Sequence, residues 1–191
     1  FVWPNFRIGS KVNEPFDITL FPIDYLDELS KQGVPDLSGI LPDYSTNYQA
    51  LAELSLDLQK AVLISHSQSG TFPMEAALIN PDGIAAIVSL EPGGVVFPLD
   101  DKELEVFSKI PILFVFGDYL QHPTGISHSW QVACDQGRAF AEKVNKAGGN
   151  VQILHLPEAG IKGNSHMIMQ DSNSLEIADM IMEWIDENIE K

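Results

Sequence analysis

A hydroxyl, an imidazole and a carboxylate in one site can turn a serine into a nucleophile, and this chain offers candidates for each. The run Ile64-Ser65-His66-Ser67-Gln68-Ser69-Gly70 follows the apolar Ala61-Val62-Leu63 and precedes a helix-like segment, residues 72–79. Strand, sharp turn around a serine, then helix is the layout of a nucleophile elbow, whose usual G-x-S-x-G pattern keeps the crowded flanks small. Here the flanks are Ser65 and Ser69, small but not glycine, and the context nominates Ser67 as the nucleophile. Such a hydroxyl needs a base within hydrogen-bond reach and an acid to orient that base.

Two histidines compete for the base. His155 sits in or at the end of the strand-like run Val151-Gln152-Ile153-Leu154-His155, whereas His166 lies in the glycine-bearing loop from Gly160 to Met167. Loops carry chemistry more often than strand interiors, so His166 is the better base. Two carboxylates compete for the acid. Asp118 follows the apolar run ending at Phe116, and Glu91 follows the preceding one in Leu90-Glu91-Pro92-Gly93-Gly94. Both belong at the carboxyl ends of strands, where open α/β sheets bind ligands. Spacing alone slightly favours Asp118, while the Pro-Gly-Gly after Glu91 would turn the chain away and leave that carboxylate facing the site. His66, inside the elbow, and Gly94 are candidates for the substrate pocket. His122 and His128 flank Pro123-Thr124-Gly125, but no third ligand is identifiable, so neither a metal nor a cofactor is expected. Trp130 reads as core or lid.

The elements that must position these groups alternate. Residues 1 to about 44 contain Pro4, Pro15, Pro22, Pro35 and Pro42 and predict irregular structure with a short helical piece at 23–32. A helix is expected over 48–58, carrying Leu51, Leu54, Leu56 and Leu58. Strands are predicted at 61–65, 84–90, 110–116 and 151–155, and helices at 71–80, 102–108, 130–147 and 173–189. The last should bury Leu175, Ala178, Ile181, Ile185 and Ile189. Near-continuous apolar strands alternating with helices predict an α/β fold, a mostly parallel sheet with helices on both faces.

This order matches the C-terminal portion of an α/β-hydrolase, from nucleophile elbow to final helix. Such folds place several strands before the nucleophile strand, and one of them leads to a loop that donates an oxyanion-hole N–H. The proline-rich opening cannot supply them, and a four-stranded sheet with a bare edge is a poor isolated domain. The expectation is that an N-terminal segment or chain of the same precursor completes the fold. Residues 1–47 would then be a cap-like or lid-like connecting segment and 48–191 the C-terminal half.

Composition narrows the partners. Among 191 residues there are 27 acidic and 11 basic side chains, a formal charge of −16. Nothing here could neutralise a row of phosphates, and an anionic membrane would repel the chain, so neither nucleic acid nor membrane is an expected partner. Cys134 is the only cysteine and reads as a small buried apolar residue. The chain opens at Phe1 without a methionine or a signal peptide, which suggests a mature form or a fragment.

Four segments carry a resemblance. Ser65-His66-Ser67-Gln68-Ser69-Gly70, Ser89-Leu90-Glu91-Pro92-Gly93, Phe116-Gly117-Asp118 and Gly163-Asn164-Ser165-His166-Met167 with Gln170-Asp171 resemble a group of secreted bacterial and fungal carboxylesterases of the α/β-hydrolase superfamily. The opening Trp3-Pro4-Asn5-Phe6-Arg7-Ile8-Gly9 is similar to that group's central region. The resemblance implies a Ser-Glu-His triad of Ser67, Glu91 and His166, with Asp118 the runner-up acid, and a secreted or periplasmic protein. It departs at Ser65, where the group commonly has glycine. The expected reaction is hydrolysis of a small-molecule carboxylic ester through an acyl-enzyme, with the Gln68 N–H as one oxyanion donor. The second donor would come from the absent region, from a separate chain or a nicked precursor, so this chain alone should be nearly inactive. A lactonase or thioesterase would use the same residues, and a non-catalytic binder on the same fold is the alternative of a different class.

Overall fold

The computed structural model describes residues 2–32, 45–96, 99–125 and 128–189. Helix α1 (Val2–Asn5) leads into a hairpin of β1 (Gly9–Lys11) and β2 (Glu14–Pro15), then a 3₁₀ turn, Ile23–Tyr25, and α2 (Leu26–Lys31). After α3 (Ser45–Leu58) the elements alternate: β3 (Ala61–His66), a 3₁₀ turn (Ser67–Thr71), α4 (Phe72–Ile79), β4 (Ile84–Leu90), α5 (Asp101–Phe107) and β5 (Ile112–Phe116). The chain continues through α6 (Trp130–Lys146), β6 (Val151–His155), a 3₁₀ turn (Ile168–Gln170) and α7 (Ser174–Asn188). Strands β3, β4, β5 and β6 lie side by side in that order, every pair parallel.

The sheet is apolar on both faces because successive side chains point to opposite sides. Ile87, Ile112, Phe114 and Phe116 pack against Met74 and Ala77 of α4, Phe107 of α5, and Phe140 and Val144 of α6. On the opposite face Ala86, Val88, Leu113 and Val115 meet Ile177, Ile181 and Trp184 of α7. All five residues of β5 are buried, each contributing roughly 1.5–3 kcal/mol of hydrophobic stabilisation.

Several local expectations are corrected. Strand β5 begins at Ile112 rather than 110, since Pro111 lacks the N–H that a ladder needs. Helix α5 starts one residue early because Asp100 caps it, accepting from the N–H groups of Lys102 and Glu103, both at 2.9 Å. The buried stripe of α7 is Ile177, Ile181 and Trp184, and Leu175 is 80% exposed. Two overlapping stripes satisfy helical spacing there, and packing on the sheet selects the one holding the large indole. In α3 only Ala52 and Ser55 are buried, while Leu54, Leu56 and Leu58 stand 53%, 46% and 64% exposed. The opening segment is more ordered than its prolines suggested, with a small core of Trp3, Ile8 and Phe21. The irregular stretch expected around Pro35 and Pro42 lies outside the described residues.

Candidate active site

β3 runs out at His66, and the next residue, Ser67, turns with a left-handed φ of 57°. A non-glycine residue held there carries strain of about 1–3 kcal/mol, so its surroundings must fix it. The Ser69 hydroxyl donates to the His66 carbonyl at 2.9 Å, and the Gly93 N–H donates to the Ser67 carbonyl at 3.0 Å. Ser65, where the related group has glycine, lies with its hydroxyl 3.1 Å from that of Ser89, which donates to the Gly70 carbonyl at 2.9 Å. Glycine is required instead at Gly70, where a Cβ would come within 2.5 Å of the Pro92 Cβ. The serine turn and the Glu91-Pro92-Gly93 turn therefore lock together.

These turns align three side chains. His166 Nε2 lies 2.8 Å from Ser67 Oγ, and His166 Nδ1 lies 3.2 Å from Glu91 Oε2. Glu91 is fully buried, with its own left-handed φ of 48°. Its other oxygen, Oε1, accepts from the Gly117 N–H and pairs with Arg7 Nη2 at 2.5 Å. Gly117 has no space for a side chain, since a Cβ would lie 2.8 Å from the Asn164 carbonyl and 3.0 Å from Glu91 Oε1. The Phe116-Gly117-Asp118 segment thus serves the carboxylate through its glycine.

Arg7 is the residue the sequence reading missed. It is completely buried, donates through Nε to the Asp118 carbonyl at 2.7 Å, and lies 5.3 Å from the Trp130 ring centre. Burial alone would raise the Glu91 carboxyl, but the Arg7 guanidinium and His166 outweigh it and hold it well below the usual carboxylate range. The His166 imidazole is enclosed by Trp130, His66 and Phe6, with ring centres at 4.0, 4.6 and 5.3 Å. That burial pushes its pKa down to about 4, against the pull of Glu91, so the ring is neutral near pH 7. A neutral imidazole between a hydroxyl and a buried carboxylate can accept the hydroxyl proton.

The loop carrying His166 is held at several points. Buried Asp171 accepts from the Ser165 N–H at 2.8 Å, the Ser165 hydroxyl at 2.7 Å and the Asn164 amide at 2.9 Å. The opening segment closes the other side, where the His166 N–H donates to the Phe6 carbonyl at 2.8 Å.

The remaining candidates fall as follows. Asp118 makes no hydrogen bond with His166. Its carboxylate oxygens accept from the Tyr119 N–H at 2.7 Å and the Gly163 N–H at 2.9 Å, so in this structure Glu91, and not the runner-up acid Asp118, is the carboxylate beside the imidazole. His155 lies 3.2 Å from Glu158, outside the site, and the His122 ring packs edge-on against Phe16. His66 shares a cavity with His166 and lies 2.9 Å from its carbonyl. Gly94 lines a second cavity with His128 and Trp130, and Gln68 lines both. Trp130 is therefore a wall of the site as well as core. Among the described residues no cluster of His, Cys, Asp or Glu could hold a metal, and no helix is long and apolar enough to cross a membrane.

A parallel sheet with an acute serine turn at the end of one strand, a carboxylate after the next and a histidine in the last loop defines an α/β-hydrolase. Known proteins agree. A bacterial esterase of known structure superposes with a TM-score of 0.88 at 40% identity, covering 98% of this chain and 57% of its own. A fungal protein described as probable secreted lipase phiG is 25% identical, covering 73% of this chain and 50% of its own length. An α/β-hydrolase enzyme from the sediment metagenome of the Mar Chica lagoon, Morocco, is 16% identical with a TM-score of 0.51, a likeness of fold. No protein-family model matches the chain. The chain has the fold of the α/β-hydrolases and is similar to this esterase over nearly all of its own length, while it spans only 57% of the esterase and 50% of the lipase.

Proposed function

We propose that the chain carries the nucleophile, base and acid of a serine carboxylesterase. The observation that carries this reading is the line of hydrogen bonds from Ser67 Oγ through His166 to Glu91, 2.8 and 3.2 Å long. His166 Nε2 takes the Ser67 proton as Oγ bonds to the ester carbonyl carbon, and Glu91 steadies the imidazolium. When the tetrahedral intermediate collapses, the bond to the alcohol oxygen breaks and that oxygen takes the proton from Nε2. Water then releases the acid from the acyl-enzyme by the same proton route. The Gln68 N–H donates to the oxyanion in both steps.

A further region of the same precursor completes the fold in this proposal. Ile64 on β3 is 58% exposed beside the bare leucines of α3, an apolar sheet edge of the kind that proteins cover. That region would supply the second oxyanion donor, whose loss typically slows such reactions about 100- to 1000-fold. The secreted-lipase relative favours an exported protein.

The test is a fluorophosphonate probe on the protein as its source makes it, followed by intact and peptide mass spectrometry. Probe mass on the Ser67 peptide, lost in Ser67→Ala together with ester turnover, is the expected outcome. Absence of labelling in a preparation that retains any further region would leave a binding protein as the better reading.

A further inference from the structure

Two cavities meet at the elbow and share Ser67 and Gln68, but their other walls differ in chemistry. One, about 410 Å³, is walled by Asn5, Thr71, Gly93, Gly94, His128 and Trp130. The other, about 440 Å³, is walled by Phe6, His66, Ser69, Phe72, His166 and Met167. An ester is divided at its carbonyl carbon into an acyl and an alcohol portion, so a serine between two cavities poses the question of which holds which.

The proton decides. Nε2 of His166 receives the Ser67 proton and returns it to the departing alcohol oxygen, so that oxygen must come within hydrogen-bond reach of the imidazole. His166 lines the second cavity and not the first. Resting on the serine-esterase reading, we infer that the Phe6–Phe72–Met167 cavity takes the alcohol portion and the Gly94–Trp130 cavity the acyl portion, with Gly94 setting acyl length. Two phenyl rings and a thioether on the alcohol side suit an apolar or aromatic alcohol. The acyl side offers an indole wall with an amide, a hydroxyl and an imidazole around it, which suits a compact acyl group.

Gly94 is free to act as that gate because the fold does not demand glycine there. Its φ is not positive, and a Cβ would meet nothing closer than the Gln136 side-chain oxygen at 3.9 Å. A side chain added at 94 stands on the wall of the acyl cavity, with the Gln136 side chain as its nearest neighbour.

The experiment compares kcat/KM over two ester series in the protein as its source makes it: p-nitrophenyl acetate, butyrate and octanoate, and acetates of ethanol, phenol and 2-naphthol. Gly94→Val is expected to lower the octanoate-to-acetate ratio at least about tenfold, the scale of excluding methylenes from a pocket, with the alcohol ratios unchanged. Met167→Ala should alter the alcohol ratios and spare the acyl ones. The reverse pattern would overturn the assignment, as would a Gly94→Val variant that shifts both series or neither. Turnover with unaltered acyl selectivity sinks only the subsite assignment. Absence of turnover in the unsubstituted protein sinks the esterase reading with it.

Discussion

At the scale of single residues, Arg7 governs the acid. A buried carboxylate without a counter-charge would hold its proton, and a protonated Glu91 could not stabilise an imidazolium. With the guanidinium at 2.5 Å the carboxylate stays ionised at zero exposure. Arg7→Met would strand that charge and is expected to destabilise the fold by about 3–5 kcal/mol, measurable by denaturant unfolding. The two acid candidates separate in the same way. Glu91→Gln should lower kcat by a factor on the order of 10⁴, the scale of losing a triad acid. Asp118→Asn should cost far less, because neither Asp118 oxygen touches the imidazole. Equal losses in the two variants would remove Glu91 from the acid role.

At the scale of elements, four turns converge at the carboxyl end of the sheet, and small residues let them approach. Gly70 admits Pro92 beneath the serine turn, and Gly117 admits both Glu91 and the histidine loop. Gly117→Ala would drive a methyl group to 2.8 Å from the Asn164 carbonyl and 2.9 Å from that of Ser165. The expected result is a loss of about 1–3 kcal/mol in stability, with slower probe labelling of Ser67 as the histidine loop moves off. Unchanged labelling and an unchanged melting midpoint would mean that the loop absorbs the methyl group at no cost. The opening segment belongs to the same convergence. Phe6 accepts from the His166 N–H, and the Leu20 N–H donates to the Gly163 carbonyl at 2.9 Å, so this segment is stapled to the loop that carries the base.

At the scale of the whole molecule, pH reports on the site. His166 must be neutral to take a proton, so kcat/KM should hold down to an acid limb near its pKa of about 4. The stability consequence has the same direction. The folded pKa lies below the ordinary histidine value of 6.5, so between pH 6.5 and about 4 the unfolded chain binds the extra proton and stability falls as pH falls. Glu91, also lowered, extends that loss below the ordinary glutamate value of 4.5, while Asp171, raised mainly by burial, works in the opposite sense. Thermal midpoints of the wild type and His166→Ala isolate the one group: the slope between pH 6.5 and 4 should flatten in the variant. Parallel slopes would mean that the imidazole titrates normally in the fold.

Much of this was legible in the order of residues. Mostly apolar runs between helical periods mark β3 to β6, since a sheet covered by helices favours apolar side chains on both faces. Ser65, Ser89, Gln152 and His155 are among the polar exceptions. Ser67, Glu91 and His166 stand out because each follows such a run or precedes the last helix, with turn residues beside it. Tertiary structure decided what depends on contacts between distant segments. Spacing alone leaned towards Asp118, yet the backbone turn at Glu91 brings that carboxylate to His166 and leaves Asp118 bound to the Gly163 N–H. Nothing local marks Arg7 as a buried counter-charge, because its partner lies 84 positions away and an arginine is ordinarily exposed. The exposed leucines of α3 have the same origin. Periodicity reports which residues can be buried, and only the packing of neighbours determines which are.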